Sequence, residues 1–126
     1  MCMIELADGR VTIIHQITRK ARKPHTCGEC YRTIEVGEYY EDFFGKYDGL
    51  LYKEITCSHC TVPREWLRRE CGGWLFGAIK EDLREHWYED GIRTVELGRL
   101  IKGMDRQWRT KKGNLMKVPK LEPVKV

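Results

Sequence analysis

A chain of 126 residues, 41% hydrophobic and 33% charged, has the make-up of one folded domain, which excludes a disordered or low-complexity polymer. No apolar run approaches the roughly 18 residues of a membrane span, and the opening Met1 to Leu6 lacks the charged and apolar regions of a signal peptide, so a cytoplasmic protein without a membrane partner is expected. The net charge of +4 is spread unevenly: residues 99–126 carry nine Lys or Arg against two Asp or Glu, and residues 1–32 carry six against three, whereas 33–56 and 81–98 are acidic.

Met3 to Leu6 and the alternating Val11, Ile13, His15 and Ile17 flank Ala7-Asp8-Gly9, which predicts an N-terminal hairpin. Arg19-Lys20-Ala21-Arg22-Lys23-Pro24 follows as a basic connector, where Pro24 argues against continued strand or helix, so residues 1–24 form the first segment. Thr33 to Phe44 and Leu50 to Thr56 carry strand-forming aromatic and β-branched residues, with Gly45 to Gly49 as the turn between them. Thr61 then caps a short helix with Pro63 in its first turn, Val62 and Trp66, then Leu67 and Cys71, on shared faces, and Gly72-Gly73 at its end.

The apolar row Leu75, Ile79, Leu83 and Trp87 predicts a second helix from Trp74 to about Glu89, stopped by Gly91. Thr94 caps a third, expected to fray near Lys111-Lys112-Gly113. Residues 25–72 and 73–113 read as two parts of one domain, and 114–126, with Pro119 and Pro123, as an extended or flexible tail.

Four of the six cysteines fall in two C-x-x-C units, Cys27-Gly28-Glu29-Cys30 and Cys57-Ser58-His59-Cys60, separated by the residues of the expected hairpin. Two residues between cysteines let both sulfurs reach one ion from a tight turn, and two such pairs complete the tetrahedral thiolate shell favoured by zinc. One structural Zn2+ on Cys27, Cys30, Cys57 and Cys60 is therefore expected, in preference to disulfides or a redox C-x-x-C lacking a thioredoxin-like βαβ context. Cys2 reads as terminal and incidental and Cys71 as a small core residue; His25 and His59 read as solvated or supporting the metal shell from outside it.

The order of cysteine knuckle, hairpin, then cysteine pair at a helix start resembles the treble-clef zinc fingers. His25 to Cys30 followed by Thr33-Ile34-Glu35-Val36-Gly37-Glu38-Tyr39-Tyr40 is similar to the opening of many such domains, including small bacteriophage and prophage proteins, a likeness that covers residues 25 to about 70. The resemblance implies an α+β fold in which a zinc-stapled hairpin and helix are preceded by an N-terminal hairpin and followed by two helices; if phage-encoded, the protein would work in the host cytosol. It does not choose a function. A four-cysteine site has no open position for activated water, the hairpin lacks the histidines of the HNH nucleases, and the chain shows no nucleophile and base pair or glycine-rich phosphate loop. A non-enzymatic protein without a small-molecule substrate is expected.

On a third helix running through Arg109, Leu97, Leu100, Ile101, Met104 and Trp108 share one face, and Arg99, Lys102, Arg106 and Arg109 share another of a single sign. Lys111 and Lys112 extend that positive field, and Arg19, Lys20, Arg22 and Lys23 form a second patch beside the first knuckle. Such patches suit phosphate contacts, so nucleic acid, or a host machine that handles it, is one expected partner. The alternative is a protein inhibitor or adaptor, such as a phage antagonist of a host defence complex, docking through Glu38, Tyr40, Glu41, Asp42, Phe44 and Tyr47 of the acidic aromatic hairpin.

Overall fold

The computed structural model describes residues 2, 3 and 11–122. The first strand and turn of the expected N-terminal hairpin, residues 4–10, lie outside these. Its second strand is present as β1 (Val11–Lys20), followed by β2 (His25–Thr26), β3 (Thr33–Ile34), β4 (Tyr39–Tyr47), β5 (Leu50–Cys57), α1 (Thr61–Cys71), α2 (Ile79–Tyr88) and α3 (Val95–Asp105). The fold is mixed α+β: β1-β4-β5 make an antiparallel sheet, and β2 and β3 pair in a two-residue ladder at the first cysteine knuckle.

β4 sits in the middle of the larger sheet, with Val11 opposite Tyr47, Lys20 opposite Tyr39, and Tyr40 opposite Cys57. Arg19 and Lys20 belong to β1 and not to a connector. The β4–β5 turn is also shorter than the Gly45–Gly49 expected, because Tyr47 pairs with Leu50 and leaves only Asp48 and Gly49 between them. Both have positive φ, 53° and 80°, the backbone of a two-residue turn whose twist suits a hairpin. Gly45 lies within β4, where a Cβ would come 2.7 Å from the Thr12 carbonyl; it permits close strand approach, not a turn.

The second helix starts five residues later than its periodicity suggests. Gly77 has φ 81°, and the rings before it pack elsewhere: Trp74 under the Arg64 guanidinium at 4.6 Å, and Phe76 on Phe43 at 4.7 Å. α3 begins as expected, with Thr94 Oγ1 accepting from the Leu97 amide, but ends at Asp105. Gln107 and Trp108 have φ 52° and 59°, turning the chain back so that the Trp108 amide donates to Gly103 O at 2.7 Å. Arg106 therefore caps α3, and Arg109 lies beyond it, bridged to Leu115 across a tight loop. The charged stripe expected on α3 is reduced to Arg99 and Lys102.

Ile34, Leu67, Ile79, Leu83, Leu97, Leu100, Met104, Trp66 and Trp108 form the core together with the four knuckle cysteines. Trp66 is buried and Trp74 and Trp87 half-buried against this core. The segment after Trp108 runs extended over the helices as far as Glu122, tied by Met116 N to Trp108 O and by Glu122 N to Glu96.

Candidate metal centre

The first knuckle reverses the chain between β2 and β3: Tyr31 N donates to Cys27 O, Cys27 N donates to Arg32 O, and Tyr31 adopts φ 62°. The second joins β5 to α1, Cys57 ending the strand and Cys60 standing at the helix N-cap. Hydrogen bonds join the two knuckles across the hairpin, from Gly28 N to Ile55 O at 2.8 Å and from Cys57 N to Cys27 Sγ, 30 residues apart, at 3.4 Å. Residues distant in the chain thus bring Cys27, Cys30, Cys57 and Cys60 into one buried group, none more than 4% exposed, with their sulfurs all within 4.8 Å of one another.

This geometry fits a metal. With metal–sulfur bonds of about 2.3 Å, the edge of a thiolate tetrahedron is about 3.8 Å, and the Cys30 and Cys57 sulfurs are 3.9 Å apart. N–H donors surround the sulfurs: the Glu29 and Cys57 amides reach Cys27 Sγ, the Cys60 amide reaches Cys57 Sγ, and the Trp108 indole Nε1 reaches Cys60 Sγ at 3.2 Å. Such donors stabilise thiolate charge. As bare thiols the four divide into acids and donors: hydrogen bonding from Cys30 draws Cys27 down to about 7, and that from Cys27 draws Cys57 down, whereas Cys30 and Cys60 are pushed up. A divalent cation removes this division by replacing all four protons.

Two residues that the sequence did not single out as functional, Arg32 and Glu29, join His59 and Trp108 in holding the group in place. Arg32, 3% exposed, forms a bidentate pair with Glu38 and donates to His59 Nδ1 at 3.2 Å. His59 must then carry its proton on Nε2, which donates to Met116 O at 2.6 Å and pins the tail to the second knuckle. His25 stacks on Tyr40, and neither histidine belongs to the sulfur group. The buried Glu29 carboxylate accepts from Gly77 N at 2.8 Å and Ile79 N at 3.4 Å, capping α2 from inside the first knuckle. Burial pushes this carboxyl up to about 7 despite those two donors. Trp108 seats its ring on Gly103 while its indole N–H faces Cys60, linking the α3 exit to the metal group.

Cys2 is not incidental. It is disulfide-bonded to Cys71, with Cα atoms 5.7 Å apart, and the sulfurs face His86.

The basic residues divide by environment. Arg19 pairs with Asp42, and Arg109 donates to Gly113 O. Among the described residues, Lys20, Arg22, Lys23, Arg99, Lys102, Arg106, Lys111 and Lys112 are exposed and outside every ion pair, whereas Arg32, Arg64, Arg68, Arg69, Lys80 and Arg84 are all paired. The expected protein-docking hairpin does not present its acidic residues as a free rim. Glu38 is held by Arg32, Glu41 by Arg64 and the buried Asp42 by Arg19; Tyr40 is 7% exposed, and Phe44 and Tyr47 are half-buried.

No family model, curated protein or solved structure matches the chain.

Proposed function

We propose that Cys27, Cys30, Cys57 and Cys60 hold one structural zinc ion in a treble-clef arrangement, and that the chain is a non-enzymatic binding protein whose basic surfaces engage the phosphate backbone of nucleic acid. A phage-like accessory role belongs to the same reading. What carries it is the division of the cations: Arg32, Arg64, Arg69 and Arg84 are neutralised internally, while Lys20, Arg22, Lys23, Arg99, Lys102, Arg106, Lys111 and Lys112 stand without counter-charge among the described residues. Unpaired cations of one sign are the footprint of counterion-releasing phosphate contacts.

The end of β1 adds shape to charge. A groove of about 1150 Å³ beside the first knuckle is lined by Arg19, Lys20, Arg22, Lys23 and Lys53, with the partly exposed His25 ring in its wall, backed at 4.6 Å by the buried Tyr40. Asp42, also in that wall, is neutralised by Arg19. A cationic groove with an aromatic wall suits a nucleic-acid strand, whose backbone tracks the charge while a base rests on a ring.

Titrating duplex DNA, single-stranded DNA and RNA at several salt concentrations tests the proposal. Affinity should fall linearly on logarithmic axes with a slope near −0.9 per phosphate contact on duplex, and Arg22→Glu/Lys23→Glu should reduce that slope by about two. Absence of binding even at low salt would overturn the nucleic-acid reading and favour a protein partner at the hairpin. The zinc reading stands or falls separately, on metal content.

A further inference from the structure

The pair Cys2 and Cys71 meets a histidine prepared for a metal. His86 is 4% exposed on α2, and its Nε2 lies 3.4 Å from Cys71 Sγ and 3.7 Å from Cys2 Sγ. Its other nitrogen, Nδ1, is 2.7 Å from the Asp82 carbonyl oxygen and 3.3 Å from Asp82 Oδ1. A carbonyl only accepts, so Nδ1 carries the proton of the neutral ring and Nε2 presents its lone pair to the two sulfurs. Metal-ligating histidines are oriented in the same way, the distal N–H held by a carbonyl or carboxylate. The Trp66 ring, edge-on at 5.3 Å, closes another side of the imidazole.

As a disulfide, the two sulfurs offer no hydrogen to that lone pair, leaving a buried acceptor facing two acceptors. We propose that, once reduced, Cys2, Cys71 and His86 form a second site for a thiophilic divalent cation such as zinc, independent of the nucleic-acid reading. Tetrahedral bonds of about 2.3 Å to sulfur and about 2.05 Å to nitrogen place a sulfur and a nitrogen corner roughly 3.5 Å apart, close to both separations here; breaking the S–S bond must then let the two sulfurs part to the roughly 3.8 Å of a thiolate edge. The fourth corner is left to a solvent molecule, as in other zinc sites with three protein ligands. A dithiol reductant supplies two electrons and two protons, breaking the S–S bond to give two thiols while itself closing to a disulfide; the cation then displaces both protons and forms two metal–sulfur bonds.

Loading and oxidation would thus exclude one another, so the site would tie the N-terminal segment to α1 and α2 through either a metal or a disulfide.

The test is zinc per chain, by elemental analysis after full reduction, anaerobic zinc loading and removal of free metal. It is carried out on the wild-type chain, Cys2→Ser and His86→Gln. Cys2 lies outside every helix and strand and is only partly buried, so its replacement should leave the helical packing and circular dichroism unchanged. The wild type should hold one equivalent more than either variant, and cobalt loading should show a thiolate-to-cobalt absorption difference between wild type and Cys2→Ser. Equal zinc content and superimposable cobalt spectra in the three proteins would overturn the proposal.

Discussion

Replacing Gly103 with alanine sets helix propensity against packing. Gly103 lies on the last turn of α3, where alanine is ordinarily worth about 1 kcal/mol more than glycine. A Cβ built there falls 2.1 Å from Trp108 Cζ3 and 2.5 Å from its Cε3, inside any permitted contact. The indole, 2% exposed, has no room to shift within the core and must leave its seat. Loss of a buried tryptophan costs roughly 3–5 kcal/mol, so after the propensity gain Gly103→Ala should destabilise the protein by about 2–4 kcal/mol, or a fall in Tm of about 6–15 °C for a chain of this size. The displaced ring also withdraws Nε1 from Cys60 Sγ, and loss of such a supporting donor should weaken metal retention about 10- to 100-fold against a competing chelator. Gly98→Ala, in the same helix, is the control: its Cβ would meet Trp87 at 3.3 Å, and that half-buried ring can yield by a few tenths of an ångström, so the change should be neutral or stabilising by up to about 1 kcal/mol. Thermal unfolding with zinc present compares the two, and a Gly103→Ala protein as stable as Gly98→Ala would mean that Trp108 does not depend on a glycine seat.

Glu29→Ala should cost about 1–2 kcal/mol by leaving the Gly77 and Ile79 amides without their cap, and hydrogen exchange should quicken first at the start of α2. Burial raises the Glu41 carboxyl, but Arg64, with side chains 13% and 10% exposed, outweighs it and holds the carboxyl below its ordinary 4.5. Because the folded value is the lower one, the pair contributes stability above about pH 4.5 and loses it as pH falls through the folded-state value; Glu41→Gln should cost about 2–3 kcal/mol at neutral pH and flatten the acid limb of a stability–pH profile. Gly49→Ala, at φ 80° in the β4–β5 turn, should cost about 1 kcal/mol in denaturant melts while leaving zinc content unchanged.

The two C-x-x-C units and the hairpin between them were legible because both are local: the spacing places each sulfur pair in one turn, and aromatic and β-branched runs mark the strands. The α1 stop at Gly72 and the Thr94 cap were legible for the same reason. The start of α2 was not, since the apolar row through Leu75 and Ile79 continues the helical period while Trp74 and Phe76 are drawn away by Arg64 and Phe43, and Glu29 ends the helix from a distant knuckle. The end of α3 was hidden similarly: Trp108 completes an apolar face, yet its ring is better placed against Gly103 and Cys60 after a left-handed reversal. Shortening that helix also removed Arg106 and Arg109 from a stripe that only a continuous helix would build. Cys2 and Cys71, separated by 69 residues and outside any ligand spacing, carried no local signal that they meet at His86.

On the zinc reading, a metal on four thiolates organises the region where the knuckles and helices join. Zinc content and far-UV circular dichroism of the reduced Cys2→Ser chain, followed before and after strong chelation and again after zinc is restored, address it most directly. One zinc equivalent per chain, loss of native ellipticity on chelation and its return with zinc are predicted, with Cys57→Ser in the same background holding no zinc. A chain that carries no stoichiometric zinc and keeps its native spectrum in chelator would show that no metal holds the four cysteines together.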